Sequence, residues 1–480
     1  MQFLIAWLEK YFLPLAGKIG GQKHLIALRD AFIGTLPATM AGSVAVMLNA
    51  LLRDLPPQFF DGYDGNNIPV IREIIAVNGY VWNGTLAIAG LIFVFSWGYN
   101  IAKAYGVNEL SGGIVSTAAS IAGITFSFSG GITGLNLDAA TVEAINAAGW
   151  SATTEGITAA GWGWLPLNNL DANFFFTAMI IGFIATMIYV KLMLKDITIK
   201  LPDSVPPAIS KAFASIIPAT VALYVVAIFY FVFSKIVPDM TFLQWLQKTV
   251  AQPLLGLSQG FGAVVLVALF VQLFWFFGIH GPNVLAPILE GVFGVAQLEN
   301  VNLFQQGGVD LVLSEGYMWV RGSFDAYAWY GGSGGTIVLI IALLLFSKRK
   351  DYRTVANLSV GPGIFNINEP IMFGLPIVLN PIMFIPFLLT PVVSVSIGYW
   401  ATMWGLVAPV SQQVVWVTPP FLLSFLATGA DWRAPIVTLV AMLVSFLIWI
   451  PFVIAANKMA PDAGQDDKII ADLEHDNKSV

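Results

Sequence analysis

The sequence predicts an all-α protein that crosses a membrane many times. Three observations carry this reading. Of the 480 residues, 57% are hydrophobic and only 10% are charged, whereas ordinary soluble domains carry about 25% charged residues. The mean hydropathy of +0.78 leaves too few polar side chains to cover a water-facing surface, so apolar residues must face lipid. The apolar residues also gather in runs of about 20, the length at which a helix crosses a bilayer.

Residues 1–21 form an amphipathic stretch with Glu9, Lys10 and Lys18. It lacks the clean apolar core and small-residue cleavage site of a signal peptide, and is expected to lie along the membrane surface. The first crossing starts after Arg29 and acts as the insertion signal. Regular crossings are expected at 31–52, 80–102, 112–128, 174–190, 212–233 and 253–277. The pattern then breaks. Segments 284–298 and 364–379 are apolar but short and rich in Gly, Pro and Asn, 335–346 is short, and 381–407 is interrupted by Pro386 and Pro391. A last crossing is expected at 435–454, before a polar, frayed tail.

Basic residues set the orientation. Lys103 lies in a short turn, Lys191, Lys195, Lys200 and Lys211 cluster between two crossings, and Lys348, Arg349, Lys350 and Arg353 follow another. Placed on the cytoplasmic side, they put both termini inside. The interval from Lys103 to Lys191 has no basic residue and contains a long polar loop, 130–173, which should face outward. One weak repeat is visible: Ala31-Phe32 precedes Pro37-Ala38-Thr39 at the spacing at which Ala212-Phe213 precedes Pro218-Ala219-Thr220. A parallel internal repeat or chance similarity among apolar helices would produce it.

The organisation is therefore bipartite: a regular half, 1–250, a broken half, 251–457, and a tail, 458–480. Irregular backbone at membrane depth is tolerated only where it is buried in protein or lines a cavity, so the second half should hold any substrate. The absence of cysteine excludes disulfides, thiolate metal sites and a phosphocysteine on this chain. No basic patch with interleaved aromatics suggests nucleic acid, and no metal-ligand spacing or cofactor motif stands out.

Two ionisable residues stand alone in apolar surroundings. His280 closes Trp275-Phe276-Phe277-Gly278-Ile279-His280-Gly281-Pro282-Asn283 and is the only ionisable side chain between Lys248 and Glu290. It reads as a contact for a substrate hydroxyl, or as a helix-end histidine bonded to backbone. Glu369 lies in Phe365-Asn366-Ile367-Asn368-Glu369-Pro370, with no other charge between Arg353 and Asp431. Such a carboxylate needs partners or a proton. Asn366 and Asn368 supply amides, and Pro370 prevents a continuous helix. Intramembrane ionisable groups are usually functional, although Glu369 could instead cap a re-entrant helix. Trp275 and Trp416 are candidate platforms for a sugar ring, but residue chemistry alone does not single them out among 15 tryptophans. The run Gly331-Gly332-Ser333-Gly334-Gly335-Thr336 has no following P-loop lysine and is expected to serve close helix packing. Asp310, Glu315, Arg321 and Asp325 are assigned no role.

These motifs carry a resemblance. Gly278-Ile279-His280-Gly281, Gly331-Gly332-Ser333-Gly334 and Asn366-Ile367-Asn368-Glu369-Pro370, followed by Phe373-Gly374-Leu375-Pro376 and Asn380-Pro381, resemble the EIIC components of the phosphotransferase system. The lactose, cellobiose and N,N'-diacetylchitobiose family is the nearest in pattern, from Leu8-Glu9-Lys10 to Lys458. The resemblance implies a polytopic homodimer with about ten transmembrane helices plus re-entrant hairpins. It implies a dimer-forming first half and a second half that binds one sugar and moves to deliver it inward. A separate EIIB protein would then phosphorylate the sugar, usually at the 6-hydroxyl, from a phosphocysteine. It assigns the hydroxyl contacts to His280 and Glu369, and sugar contacts to Asn368, Trp275 and Trp416, with Asn366 and Asn283 beside them. A β-disaccharide, cellobiose first, is the expected cargo. The loop 130–173 is longer than the family pattern. Two rivals remain at this stage: an ion-coupled sugar symporter with Glu369 as coupling carboxylate, and a membrane-embedded carbohydrate-processing enzyme, which would want a second carboxylate such as Glu290 near Glu369.

Overall fold

A computed structural model describes residues 21–457 except 55, 59, 61, 149, 164, 167, 168, 203 and 376, and also residues 10, 11, 14, 17 and 18. The surface stretch 1–21, those five positions and residue 21 aside, and the tail after Asn457 lie outside the described residues. Among the described residues the chain is all-α except for one small sheet. In the first half, α1 (Lys23–Asn49), α2 (Pro69–Asn83), α3 (Ala89–Ala104) and α4 (Glu109–Ile121) lead to the long polar segment. After it come α6 (Phe174–Leu194) and α7 (Pro207–Ile236). Pro37 and Pro218, the matched prolines of the weak repeat, lie inside α1 and α7.

Small residues set the packing of this half. A Cβ on Gly98 of α3 would lie 2.3 Å from Ser116 Cβ and 2.4 Å from Gly112 O, both on α4. The two helices therefore meet nearly backbone to backbone, the close approach that small residues allow between membrane helices. Trp97 Nε1 donates to Met179 O at 3.1 Å, tying α3 to a π-helical turn of α6.

The expected crossing at 112–128 differs from what is observed. Helix α4 has 13 residues, about 20 Å of helix, and the chain then enters strand β1 (Ser127–Thr133). The long polar loop is ordered into an antiparallel sheet, β1-β3-β2, with β2 (Ser151–Thr153), β3 (Gly156–Trp162) and the intervening α5 (Ala139–Ala147). Its strands are short and rich in Gly, Ser and Ala, a composition with a weak strand signal. Asp138 caps α5 by accepting the Thr141 N–H at 2.7 Å.

Across the boundary between the halves come α8 (Phe242–Ser258) and α9 (Phe261–Phe276), bent by 74° at their junction. Broken segments follow: α10 (Gly281–Val284), α11 (Ala286–Ile288) with a π-helical turn Leu289–Gly294, α12 (Val295–Glu315), which is kinked at Gly307-Gly308, and α13 (Arg321–Tyr327). Then come α14 (Thr336–Phe346), α15 (Lys350–Ile364), α16 (Glu369–Gly374), α17 (Pro381–Met403), α18 (Pro420–Ala427) and α19 (Arg433–Ala456). Among the described residues six helices are long and apolar enough to cross a membrane, or seven if the bent pair is one crossing. The protein is thus an all-α, multi-pass membrane protein. Most of the buried apolar side chains among the described residues form one cluster from Ala27 to Ala456, through both halves.

Candidate functional site

The broken segments converge on one chamber of about 470 Å³, within the range of sites that enclose a small ligand. Most of its wall comes from residues after 280, but α1 supplies Phe32, Thr35, Thr39 and Ser43.

His280 reaches the chamber through a helix ending. Helix α9 closes in a Schellman turn: Ile279 N–H donates to Phe274 O at 3.0 Å and Gly278 N–H to Trp275 O at 2.9 Å. Gly278, at φ +75°, is the residue that reverses the chain. His280 then caps α10, its Nδ1 accepting the Asn283 N–H at 3.2 Å. An accepting Nδ1 makes Nε2 the protonated nitrogen of the neutral ring, leaving an N–H donor for the chamber. The alternative of a helix-end histidine bonded to backbone therefore also holds, through one ring nitrogen only.

Glu369 arrives by a similar device. Helix α15 ends with Ile367 N–H donating to Pro362 O at 3.0 Å and Asn366 N–H to Gly363 O at 3.2 Å. Asn366 occupies the left-handed position at φ +61°, where glycine is commonest and asparagine next. The reason for asparagine is its side chain. Its Oδ1 accepts the Gly331 N–H at 2.8 Å, and its Nδ2 donates to Trp416 O at 2.7 Å and Thr418 O at 2.8 Å. Asn368, buried, donates from Nδ2 to Ser333 O at 2.8 Å. Glu369 is then the first residue of α16, makes no capping bond, and has no hydrogen-bond or ion-pair partner among the described residues. The two asparagines brace the turn and the acid is left free.

The glycine run is not a helix-packing stripe, which corrects the expectation from sequence. Gly331, Gly332, Gly334 and Gly335 all have positive φ, and they form the irregular loop before α14 that receives both asparagines. A Cβ on Gly332 would lie 2.7 Å from Asn368 Cβ and 2.8 Å from Asn366 O. Gly332 and Ser333 line the chamber.

Asn283, Asn366, Asn368, Glu369, His280 and Trp416 all line the same chamber, so the structure brings these candidates together. Trp275 stands behind them. It is buried against the imidazole, ring centres 4.7 Å apart, and its Nε1 has no partner among the described residues. The sequence assigned no role to Arg321 and Asp325, and offered Glu290 only as a second carboxylate for an enzyme. Arg321 Nε donates to Glu290 Oε1 at 2.8 Å and its Nη1 to Asp325 Oδ2 at 2.7 Å, and all three line the chamber. The i,i+4 spacing of Arg321 and Asp325 was the available signal; nothing local marks Glu290 as their partner. Gln297 and Gln412 complete this side, Gln297 Oε1 accepting the Gly322 N–H at 2.6 Å. No group of three or more metal-ligating side chains occurs among the described residues.

A multi-pass membrane protein enclosing a chamber walled by amides, an open carboxylate and an imidazole is built to carry a small polar solute. The family described as "Phosphotransferase system, EIIC" matches residues 29–391, and the chain belongs to it. It is 47% identical to the PTS system cellobiose-specific EIIC component of Lactococcus lactis, over 96% of this chain and 99% of that protein. It is 27% identical to the lactose-specific EIICB component of Staphylococcus haemolyticus, over 94% of this chain and 70% of that one. Its fold resembles the crystal structure of the transporter ChbC, the IIC component of the N,N'-diacetylchitobiose-specific phosphotransferase system. That match has a TM-score of 0.81 and 29% identity, covering 94% of this chain and 98% of ChbC. The chain is thus a sugar-specific EIIC permease, a class that works with EIIB partners. These matches do not favour the ion-coupled symporter or the carbohydrate-processing enzyme. Glu290, the carboxylate that the enzyme reading wanted, is held by Arg321.

Proposed function

We propose that the chamber takes a β-linked disaccharide, cellobiose first, and presents one hydroxyl for phosphorylation from a phosphocysteine on EIIB. The carrying observation is the pairing of an unpartnered Glu369 with an imidazole whose open nitrogen is a donor, on the wall of one cavity. Glu369 accepts a hydrogen bond from the reacting hydroxyl and takes its proton as the oxygen attacks phosphorus. The P–S bond breaks, the O–P bond forms, and the cysteine leaves as thiolate. His280 donates from Nε2 to the same oxygen and orients it. Phosphoryl transfer is mostly positioning and charge stabilisation, so holding this hydroxyl in line is the subunit's main contribution.

Asn368 and Asn366 hold the turn that carries Glu369, with Asn283 beside His280. Trp416 offers an indole to a sugar ring, and Trp275 sets the plane of His280 from behind. The division at about residue 250 fits a substrate-binding second half that moves against the first. A homodimer formed by the first half would use α7, most of whose large apolar side chains are exposed. The basic clusters at 191–211 and 348–353 support cytoplasmic termini.

The test is Glu369→Gln in vesicles supplied with phosphorylated EIIB. Sugar affinity should stay within about tenfold, while phosphorylation falls by about 10²–10⁴, the usual range for a lost general base. Phosphorylation at the native rate would remove Glu369 from the base role, and free sugar as the product of wild-type uptake would overturn group translocation.

A further inference from the structure

The second charged cluster of the chamber has no part in that reaction. Arg321 is fixed on two edges by Glu290 and Asp325, and its guanidinium carbon lies 4.9 Å from the centre of the Trp329 ring. The side chains of Arg321 and Asp325 are 17% and 16% exposed. Charged groups are expensive inside a membrane protein and are usually kept for function. A cluster serving stability alone would satisfy all its members, and this one does not. Nη2 of Arg321 has no partner among the described residues and is not sealed from the cavity. The same is true of Oε2 of Glu290, whose side chain is 37% exposed.

An open guanidinium N–H and an open carboxylate oxygen on one ion-paired cluster complement a vicinal diol, in which one hydroxyl accepts and its neighbour donates. The cluster is also separate from the reacting end. Arg321 is bonded to Glu290 and Asp325, and no hydrogen bond or ion pair joins the three to His280 or Glu369 among the described residues. Gln297 and Gln412 line the same side as the cluster.

We infer that Glu290, Arg321 and Asp325 form a second sugar subsite, which reads the vicinal diol of the ring that is not phosphorylated and makes the chamber prefer a disaccharide to a monosaccharide. The inference rests on the proposed disaccharide cargo. With one carboxylate in excess, the subsite takes a neutral ring.

The test uses the full chain in detergent, with cellobiose and methyl β-glucoside as probes in calorimetry. Glu290→Gln and Arg321→Lys should each weaken cellobiose binding about tenfold or more and change methyl β-glucoside binding by less than about twofold. Wild-type protein tested with cellobiose analogues lacking the vicinal hydroxyls of one ring should lose about tenfold for one of the two rings, a measurement no folding defect can confound. Unchanged cellobiose affinity in both variants, an equal fall for both sugars, or indifference to the analogues would overturn the subsite while leaving the disaccharide reading intact. A wild-type protein that binds no disaccharide would overturn both.

Discussion

Replacing Asn366 by glycine separates what its backbone does from what its side chain does. Glycine is the usual residue at the left-handed position that ends a helix, so Asn366→Gly keeps the turn at φ +61° at no steric cost. What it removes is three hydrogen bonds, at 2.8, 2.7 and 2.8 Å, which join the α15 ending to Gly331, Trp416 and Thr418. At about 1 kcal/mol net for each bond, the loss is about 3 kcal/mol, and more if the freed backbone groups stay dry. Asn366→Ala should lose the same bonds and add about 1–2 kcal/mol of left-handed strain. Thermal unfolding in detergent, followed by tryptophan fluorescence, should rank wild type above glycine above alanine. Both variants should bind sugar more weakly, because the segment carrying Glu369 is no longer fixed to the glycine loop. A glycine variant with wild-type melting temperature and sugar affinity would refute the claim that this amide holds the site together.

Gly332→Ala should abolish sugar binding while leaving the helical circular dichroism unchanged, because its Cβ would enter the space of Asn368 at 2.7 Å. Retained binding would show that the loop can give way. Trp275→Phe removes a buried N–H that has no partner and keeps a ring against His280. Its melting temperature should equal or exceed wild type, with sugar affinity within about threefold. A tenfold drop in affinity would place the indole nitrogen on the sugar.

What the sequence made legible was what is rare. A lone carboxylate and a lone histidine in apolar runs stand out because membrane interiors tolerate few of either, and both line one chamber. Pro370 and the neighbouring asparagines marked a break in the helix, and the break is there. What stayed hidden depended on partners far along the chain. Nothing near Asn366 says that its amide is bonded to residues 331, 416 and 418. The glycine run looked like a packing surface because its positive φ angles are a conformation, not a composition. Glu290 and Arg321 are 31 positions apart and meet only through the folding of the π-helical turn after α11 against α13. The small sheet escaped notice because its strands lack the β-branched alternation that marks strands elsewhere.

The wall contributed by α1 has a consequence for selectivity. Thr35 and Thr39 face the same space as Glu369, although more than three hundred positions separate them in the chain. Sliding α1 by one turn, about 5.4 Å, would bring different side chains to that face and change the outline the guest meets. The lock therefore has a defined shape in only one alignment of its two plates, and a chimera that exchanged the leading half would inherit a different taste in sugars even with every downstream residue preserved.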